Sequence, residues 1–280
     1  MNNDIVYIQT ITNLHIGSGT GLGVIDMPVQ RERITGYPVI PSSSLKGVLR
    51  SKYNKANEKM IFGNKNDEKD PDEKDQVEAG GLCFFDGRLL FYPVRSLKGT
   101  YLLITCPAVL NRFARDAKAV EKEISMPSFA LSSGQIITDN KECVISQNKE
   151  KKVVLEEFPF AKTDGDLSGL KNLFPALEDK IAVLSDDDFS YFAKNASEVY
   201  ARIAIEKETK IVKDGALFYQ EFVPSETVFY SMIAVNDSKH SAKEGLKEVE
   251  LQEILPGYVQ LGGNETIGKG LCKTYIDELK

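Results

Sequence analysis

The sequence predicts an α+β fold, formed by one domain of 280 residues. Segments with strand-like alternation and segments with helical periodicity interleave along the chain. They do not follow the regular βα alternation of a doubly wound sheet. Hydrophobic residues make up 42% of the chain and charged residues 27%. This composition is that of a globular protein, and a chain of this length can bury a core without disulfides or metals.

The first third of the chain predicts strand, glycine loop, extended segment and helix. Residues 4–16 are rich in Ile, Val, Thr and Tyr, which favour a strand. Glycine then occupies every second position over 17–23, which predicts a permissive loop. After an extended segment over 29–35, the run SSSLKGVLRSKYNKA (42–56) predicts a helix with a serine N-cap and an apolar stripe.

The remaining segments are predicted from the same local signals. Residues 81–106 indicate strands broken by the turn dipeptides Asp86-Gly87 and Lys98-Gly99. Helices are expected over 108–123 and 241–254. A β pattern covers 199–235, and the chain ends with strand, glycine-rich turn and strand. Short strand-like and loop-like pieces alternate over 125–185, and their order does not follow from the sequence.

The net charge of -6 is unevenly distributed. Residues 67–78 hold seven acids and two lysines, a net of -5, which is typical of a mobile surface loop. Residues 28–55 hold six basic residues and one acid, a net of +5. An acidic protein with such a basic stretch is able to bind a polyanion locally, and the alternative interpretation is a solvated helix face.

Several function classes are excluded. Glycine spacing in GSGTGLG (17–23) fails the dinucleotide fingerprint, and Gly270 stands where a P-loop needs Ser or Thr. No two of the four cysteines are separated by just two residues, so zinc ribbons and thioredoxin-like sites are excluded. No apolar run approaches the ~18 residues of a membrane span, and the N-terminus has no secretory pattern. Reduced thiols in the cytoplasm are therefore expected.

Two segments have the chemistry of a phosphate contact. The predicted helix N-terminus carries Ser43 and Ser44, and Lys46 and Arg50 lie on one helix face. The glycine-rich loop near the C-terminus offers backbone N–H groups and Lys269. Simple N-capping is the alternative for the helix.

Asp26 and His15 are candidate functional side chains beside the first glycine loop. Next to a phosphodiester, Asp26 is able to hold a divalent cation or act on a proton, whereas the alternative is an ion pair with its basic neighbours. His15 is either a general base or a hydrogen-bonded structural residue. The segment 201–235 predicts a protruding hairpin whose aromatic residues pack on the sheet or contact bases.

These motifs together resemble a known family. The glycine loop after the first strand, the run GYPVIPSSSLKGVLR, the segment RIAIEKETKIVKDGALFYQE and the terminal LGGNETIGKG are similar to the RAMP superfamily of CRISPR RNA-binding proteins. The runs GVIDMPVQRE, FYPVRSLKGTYLLITCP and LGGNETIGKGL favour the backbone subunits of Cmr-type, or type III-B, effector complexes. The similarity extends from about residue 5 to 275.

The resemblance implies a fold and a domain organisation. One RNA-binding domain over 1–280 would consist of a ferredoxin-like, RRM-related palm with insertions and a protruding β-hairpin thumb. The thumb would span 204–224, a mobile acidic loop would occupy 64–80, and an insertion would occupy 125–190.

The resemblance also implies a function. Several copies would form a filament along one CRISPR guide RNA, with other subunits of the complex and no membrane. The family's backbone subunit cuts complementary single-stranded target RNA at regular intervals with a divalent metal, Mg or Mn. The alternatives are a non-catalytic structural filament subunit and, less favoured, an enzyme that cuts precursor guide RNA.

Residue roles follow from the matching motif positions. Asp26 would be the catalytic residue and metal ligand, with His15 and Glu221 as auxiliary catalytic candidates. The resemblance assigns the guide backbone to residues of the two glycine loops and the basic helix: Gly17, Gly19, Ser43, Ser44, Lys46, Arg50, Gly262, Gly263, Gly268 and Lys269.

Overall fold

The computed structural model describes residues 3–21, 23–64, 79–147, 150–236, 251–276 and 279, and it has a mixed α/β architecture with a large mixed sheet. The strands are β1 (Asp4–Thr10), β2 (Val39–Ile40), β3 (Leu82–Phe84), β4 (Gly87–Arg95), β5 (Tyr101–Thr105), β6 (Gln135–Thr138), β7 (Ile145–Gln147), β8 (Glu150–Leu155), β9 (Phe158–Lys162), β10 (Ile181–Leu184), β11 (Glu198–Arg202), β12 (Phe218–Phe222), β13 (Val228–Val235), β14 (Tyr258–Gln260) and β15 (Leu271–Ile276). The α-helices are α1 (Ser42–Lys52), α2 (Glu58–Phe62), α3 (Pro107–Ala119), α4 (Ser168–Leu173), α5 (Asp186–Asn195) and α6 (Leu251–Ile254). Short 3-10 turns cover Pro175–Leu177 and Glu265–Ile267.

The large sheet has the strand order β14-β15-β1-β13-β4-β5-β10-β6-β9-β8-β7, with β2 paired to β4 and β3 paired to β13. Strands β5 and β10 are parallel, as are β6 and β9, and the other pairs are antiparallel. The four neighbouring strands β15, β1, β13 and β4 are antiparallel throughout. Helix α1 lies between β1 and β4 in the sequence, and α6 lies between β13 and β15.

Local sequence signals set many of the element boundaries. The turns at Asp86-Gly87 and Lys98-Gly99 separate β3, β4 and β5, which confirms the expected breaks. The helix expected after Pro107 is confirmed as α3, where the proline takes the first helical position. The first strand is shorter than expected, because the chain leaves the sheet after Thr10 to reach β12 and the C-terminal loop.

The core lies between the sheet and the helices packed on it. Every residue of β1 except Gln9 is buried, since β1 is a central strand covered on both faces. Helix α1 buries Leu45 and Leu49 completely on its apolar stripe. Each such side chain contributes about 1.5–3 kcal/mol relative to an exposed one, so the apolar stripe holds the basic helix on the sheet.

A separate two-stranded ladder of β11 and β12 stands apart from the large sheet. Glu198 pairs with Phe222 at one end and Arg202 with Phe218 at the other. Beyond Arg202 the two arms meet once more, at the bridge between Ile205 and Val212. Residues 203–215 are exposed, so this segment projects into solvent.

Two of the expected segments lie largely outside the described residues. Residues 65–78 of the expected acidic loop and residues 237–250 of the expected helix over 241–254 lie outside the described residues, whereas 251–254 are helical. The stretch 125–190 contains β6 to β10, α4 and the start of α5, which extend the sheet beyond β5. Among the described residues, no helix is both long and apolar enough to span a bilayer.

Candidate functional site

Asp26 lies in the segment between the first glycine loop and β2, and it is exposed. Its Oδ2 atom accepts a 2.7 Å hydrogen bond from the backbone N–H of Tyr219 on β12. The next residue, Met27, donates its N–H to Tyr219 O at 3.0 Å and accepts from Glu221 N at 3.0 Å. Asp26 is therefore held at the edge of β12 opposite β11, while Oδ1 has no hydrogen-bond partner in the described part of the chain.

The first glycine loop folds back on the segment that carries Asp26. Gln30 donates to Ile16 O at 2.7 Å, and Ser18 donates to Pro28 O at 3.1 Å. Gly21 closes the loop by donating to Asp26 O at 2.8 Å. Gly17 and Gly19 lie on the exposed part of this loop, so their backbone is accessible beside Asp26.

His15 is buried at the junction of the two glycine loops. Its Nδ1 lies 2.7 Å from Glu221 O, and a carbonyl accepts only from a protonated nitrogen, so Nδ1 carries the hydrogen. A Cβ at Gly17 would lie 2.8 Å from Nε2, and a Cβ at Gly262 would lie 2.2 Å from His15 O. Gly262 is therefore required for close packing on His15, whereas a side chain at Gly17 would have to displace the His15 ring.

Glu221 has a buried carboxylate that accepts from three groups. Arg31 Nη2 donates to Oε1 at 2.5 Å, Ser197 Oγ donates to Oε1 at 2.6 Å, and Val29 N donates to Oε2 at 2.9 Å. Burial alone would raise the pKa of Glu221, but these donors outweigh it and hold the pKa below its ordinary value. The carboxylate is thus ionised and fully engaged within the protein.

Arg31 joins Glu221 to two further elements. Its Nη1 donates to Gly36 O at 2.8 Å and to Ala193 O at 2.9 Å, near the C-terminal end of α5. Because Glu221 also accepts from Val29 N, the strand segment that follows Asp26 is tied to both β12 and α5. The sequence placed Arg31 in a basic stretch but could not indicate its partners.

The C-terminal glycine loop is shaped mainly by internal hydrogen bonds. Gly263 donates to His15 O at 2.9 Å, Gly268 to Glu265 O at 2.9 Å, and Gly270 to Asn13 O at 2.9 Å. Gly262 and Gly268 have φ values of 70° and 74°, which favour glycine. The expectation that the amides of this loop are free is wrong for Gly263 and Gly268, because both are used to close the loop on the chain.

Lys269 extends from this loop over the β11–β12 ladder. Its Nζ lies 5.1 Å from the centre of the Tyr200 ring and 5.3 Å from that of Phe222. Tyr200 is exposed, and its hydrogen bond with Glu198 raises the pKa of its hydroxyl. The cation thus lies near the exposed ring of Tyr200 and the buried ring of Phe222, and Phe222 packs against the His15 ring.

Helix α1 begins without a side-chain cap from its serines. Pro41 is the N-cap residue, and the carboxylate of Asp86 accepts from Ser42 N at 2.7 Å instead. The expected serine cap is thus wrong, because a carboxylate distant in sequence reaches the helix N-terminus. Ser43 is exposed, and Ser44 and Lys46 are partly exposed.

Arg50 of the same helix is held within the protein. Its Nε donates to Glu58 Oε1 at 2.8 Å, and its Nη2 donates to Gly63 O at 2.9 Å. These contacts fasten α1 to α2. The remaining cation on this face with no hydrogen-bond or ion-pair partner among the described residues is Lys46.

The described residues contain no group of three side chains of the His, Cys, Asp or Glu type that could hold a metal ion. Asp26 is exposed, and its Oδ1 atom has no hydrogen-bond partner among the described residues. Mg²⁺ commonly uses one or two protein carboxylates, with water and substrate phosphates completing its coordination. Asp26 therefore offers one protein ligand to a divalent ion, and the rest of the coordination would have to come from outside the described residues.

The fold and this site define the class of protein. The family model of the RAMP superfamily matches residues 7–273, and the chain belongs to this superfamily.

Individual proteins are similar to this chain over nearly its whole length. The chain is 41% identical to the CRISPR system Cmr endoribonuclease Cmr4 of Pyrococcus furiosus, over 98% of this chain and 96% of the relative. It superposes on the crystal structure of oligomeric Cmr4 from P. furiosus with a TM-score of 0.76 and 32% identity, covering both chains completely. A chain of the type III-B Cmr-beta complex bound to cognate target RNA has the same fold, with a TM-score of 0.73, 23% identity and coverage of 99% and 98%.

Proposed function

We propose that this chain is the backbone subunit of a type III-B CRISPR effector complex. Copies of it bind a CRISPR guide RNA along a filament with the other subunits of the complex. They cleave complementary target RNA at regular intervals with the help of Mg²⁺ or Mn²⁺. The relative that is 41% identical is named an endoribonuclease, and the P. furiosus crystal structure is described as oligomeric. A cytoplasmic location belongs to the same proposal.

The observation that carries the catalytic part is the position of Asp26. Its carboxylate is exposed, fixed through Oδ2 by Tyr219 N and open at Oδ1. A carboxylate that is held through one oxygen loses little freedom when the other oxygen binds a ligand. We therefore assign Asp26 the role of the catalytic residue and metal ligand.

The fold supports a palm and a thumb. The antiparallel order β15-β1-β13-β4, with helices in the two crossovers, supports the proposal of a ferredoxin-like palm. The exposed segment between β11 and β12 supports the proposal of a thumb within 204–224. In this proposal 1–280 form one RNA-binding domain, 64–80 form an acidic insertion, and 125–190 form an insertion that widens the sheet.

The chemistry requires few protein groups because RNA supplies its own nucleophile. A kinked nucleotide brings the 2′-OH in line with the scissile phosphate, so much of the rate comes from geometry. A divalent ion, when bound, would supply stabilisation of the charge that develops on the phosphate. Asp26 would hold that ion beside the scissile phosphate and orient it.

We assign His15 and Glu221 to positioning. His15 is buried, with Nδ1 engaged by Glu221 O and with its backbone O accepting from the C-terminal loop. Glu221 accepts from three donors and binds the strand segment after Asp26 through both its backbone and its side chain. Both residues therefore maintain the position of the Asp26 segment relative to the two glycine loops.

We assign the guide backbone to the exposed loop glycines, the α1 N-terminus and Lys269. Gly17, Gly19, Gly262 and Gly263 are exposed, so an RNA strand is able to approach their backbone closely. Ser43, Ser44 and Lys46 lie at the accessible start of α1. Gly268 supports the loop conformation, and Arg50 has the weakest support because its donors are used within the protein.

The test is Asp26→Asn in the complex assembled with guide RNA. We expect unchanged guide and target binding and loss of every regularly spaced cut in the target RNA, and a chelator should abolish cleavage by the unsubstituted protein. Cleavage at the full rate by the variant would support the alternative, a non-catalytic filament subunit. Both oxygens of the Glu221 carboxylate accept hydrogen bonds within the protein, and this observation favours the non-catalytic alternative. Cleavage of precursor RNA by the isolated chain would support the other alternative, an enzyme that cuts precursor guide RNA.

A further inference from the structure

Arg202 closes the end of the β11–β12 ladder and contacts the C-terminal glycine loop. Its Nη1 donates to Gln220 Oε1 at 2.6 Å and to Asn264 Oδ1 at 2.7 Å. The guanidinium carbon lies 5.6 Å from the centre of the Phe218 ring, directly across the ladder. Two neutral amides and one ring therefore hold the guanidinium in a single orientation.

Three of the five N–H donors of Arg202, those on Nε and Nη2, are not used within the described part of the chain. Nε and Nη2 have no hydrogen-bond partner in the described part of the chain, and no carboxylate pairs with the guanidinium there. The side chain is partly buried, and a partly desolvated cation is stabilised by an anion. A planar fork with fixed orientation matches two oxygens of a phosphate.

A second cation lies on the same face of the ladder. Tyr200 and Arg202 are two residues apart on β11, so their side chains share a face and lie about 7 Å apart along the strand. Lys269 Nζ lies over the Tyr200 ring, again without a carboxylate partner among the described residues. Glu198 lies on the same face of β11, and its carboxylate accepts hydrogen bonds from Asn13 and Tyr200.

This cationic face is next to the catalytic carboxylate. Asp26 binds β12 at Tyr219, on the edge opposite β11, and Tyr219 pairs with Ala201, the neighbour of Arg202. Adjacent strands are about 4.8 Å apart, so β11 and the Asp26 segment are about 10 Å apart across β12. One RNA strand is able to contact both sides of β12 at this separation.

We infer that Arg202 binds a phosphodiester of RNA at the base of the hairpin, together with Lys269, one or two nucleotides from the phosphate beside Asp26. This inference rests on the proposed function and adds a contact at a residue to which the resemblance assigned no role. Arg202 supplies Nε and Nη2 to two phosphate oxygens. Asn264 and Gln220 orient the guanidinium, and the Phe218 ring packs against it.

The test measures binding of the full chain to a fluorescein-labelled single-stranded oligouridine RNA over a series of salt concentrations. Each phosphate contact on a single strand contributes about 0.7 to the slope of log affinity against log salt. Arg202→Gln is expected to weaken binding about tenfold at low salt and to reduce the slope by about 0.7. Arg202→Lys is expected to restore the slope because it restores the charge, with affinity below that of arginine.

Two control variants separate a phosphate contact from a structural role. Asn264→Gly removes an oxygen that orients Arg202 but tolerates the φ of 68° at this position, so affinity should fall while the salt slope stays unchanged, because the charge of Arg202 is kept. Arg95→Gln removes one charge from an exposed position on β4 and should leave the slope unchanged. An Arg202→Gln slope equal to that of the unsubstituted chain overturns the inference while the proposed function stands. No RNA binding by the unsubstituted chain at low salt overturns both.

Discussion

The Oδ2 atom of Asp26 accepts a hydrogen bond of 2.7 Å from the backbone N–H of Tyr219, across 193 residues of sequence. This bond joins the loop that follows β1 to the two-stranded ladder. It orients an exposed carboxylate without burying it, because the donor is a backbone group at a strand edge. The same contact brings the first glycine loop and the hairpin base together on one side of the molecule.

Asp26→Asn should leave stability nearly unchanged. Asp26 is exposed, and the Asn side-chain oxygen is still able to accept from Tyr219 N. We expect a change in the free energy of unfolding within about 0.5 kcal/mol, measured by urea denaturation. A larger loss would mean that any loss of cleavage reflects the fold instead of the chemistry.

Glu221→Ala should destabilise the protein strongly. The substitution leaves Arg31 Nη2 and Val29 N without their acceptor beneath the Asp26 segment. Since Arg31 is only partly buried, we expect a loss near the lower end of the range for broken buried pairs, about 3 kcal/mol in urea denaturation. The matched control is Glu208→Ala in the exposed hairpin extension, which should change stability by less than about 0.5 kcal/mol.

The contribution of Glu221 should depend on pH in a defined direction. Its pKa in the folded protein is below the ordinary value of 4.5, so the folded state binds the proton more weakly than the unfolded chain. The stabilisation is therefore complete above pH 4.5 and is lost as the pH falls through the lower folded-state pKa. The stability difference between the unsubstituted chain and Glu221→Gln should shrink below pH 4.5, and a difference that grows on acidification contradicts the assignment.

Gly262→Ala should disrupt the junction of the two glycine loops. Gly262 has a φ of 70°, and an added Cβ would meet His15 O at 2.2 Å. We expect a loss of at least about 2 kcal/mol from the left-handed backbone and the clash together, with weaker RNA binding. The control is Gly47→Ala in α1, where a Cβ has open space and a gain of about 0.5–1 kcal/mol is expected.

The four cysteines should differ in reactivity. Cys83 is exposed, whereas Cys106, Cys143 and Cys272 are buried, and all four thiols are free. Burial raises the pKa of Cys272 to about 12, so its thiolate population is very small at neutral pH. A thiol reagent should modify Cys83 alone in the native protein and all four cysteines in denaturant. Rapid native modification of a second cysteine would contradict this burial pattern.

Signals that act within a few residues were sufficient for the elements outside 125–185 that end at clear turns or carry an apolar stripe. The dipeptides Asp86-Gly87 and Lys98-Gly99 end strands because they favour turns wherever they occur, and the boundaries of β4 and β5 follow. The apolar spacing of Leu45 and Leu49 defines the buried face of α1. The motif that carries Asp26 is also local, so the residue was identifiable before its surroundings were known.

The sequence by itself thus determined the mixed α/β class, the strands on either side of Asp86-Gly87 and Lys98-Gly99, helices α1 and α3, the family resemblance and the identity of the candidate carboxylate. Tertiary structure alone decided which polar groups are used and which stay open. Glu221 meets Arg31 at a separation of 190 residues, Asp86 replaces the serines at the start of α1, and loop amides close on carbonyls of residues near β1. Such pairings depend on which strands become neighbours in the sheet, and hydrogen bonds between distant segments leave no periodic pattern in the sequence.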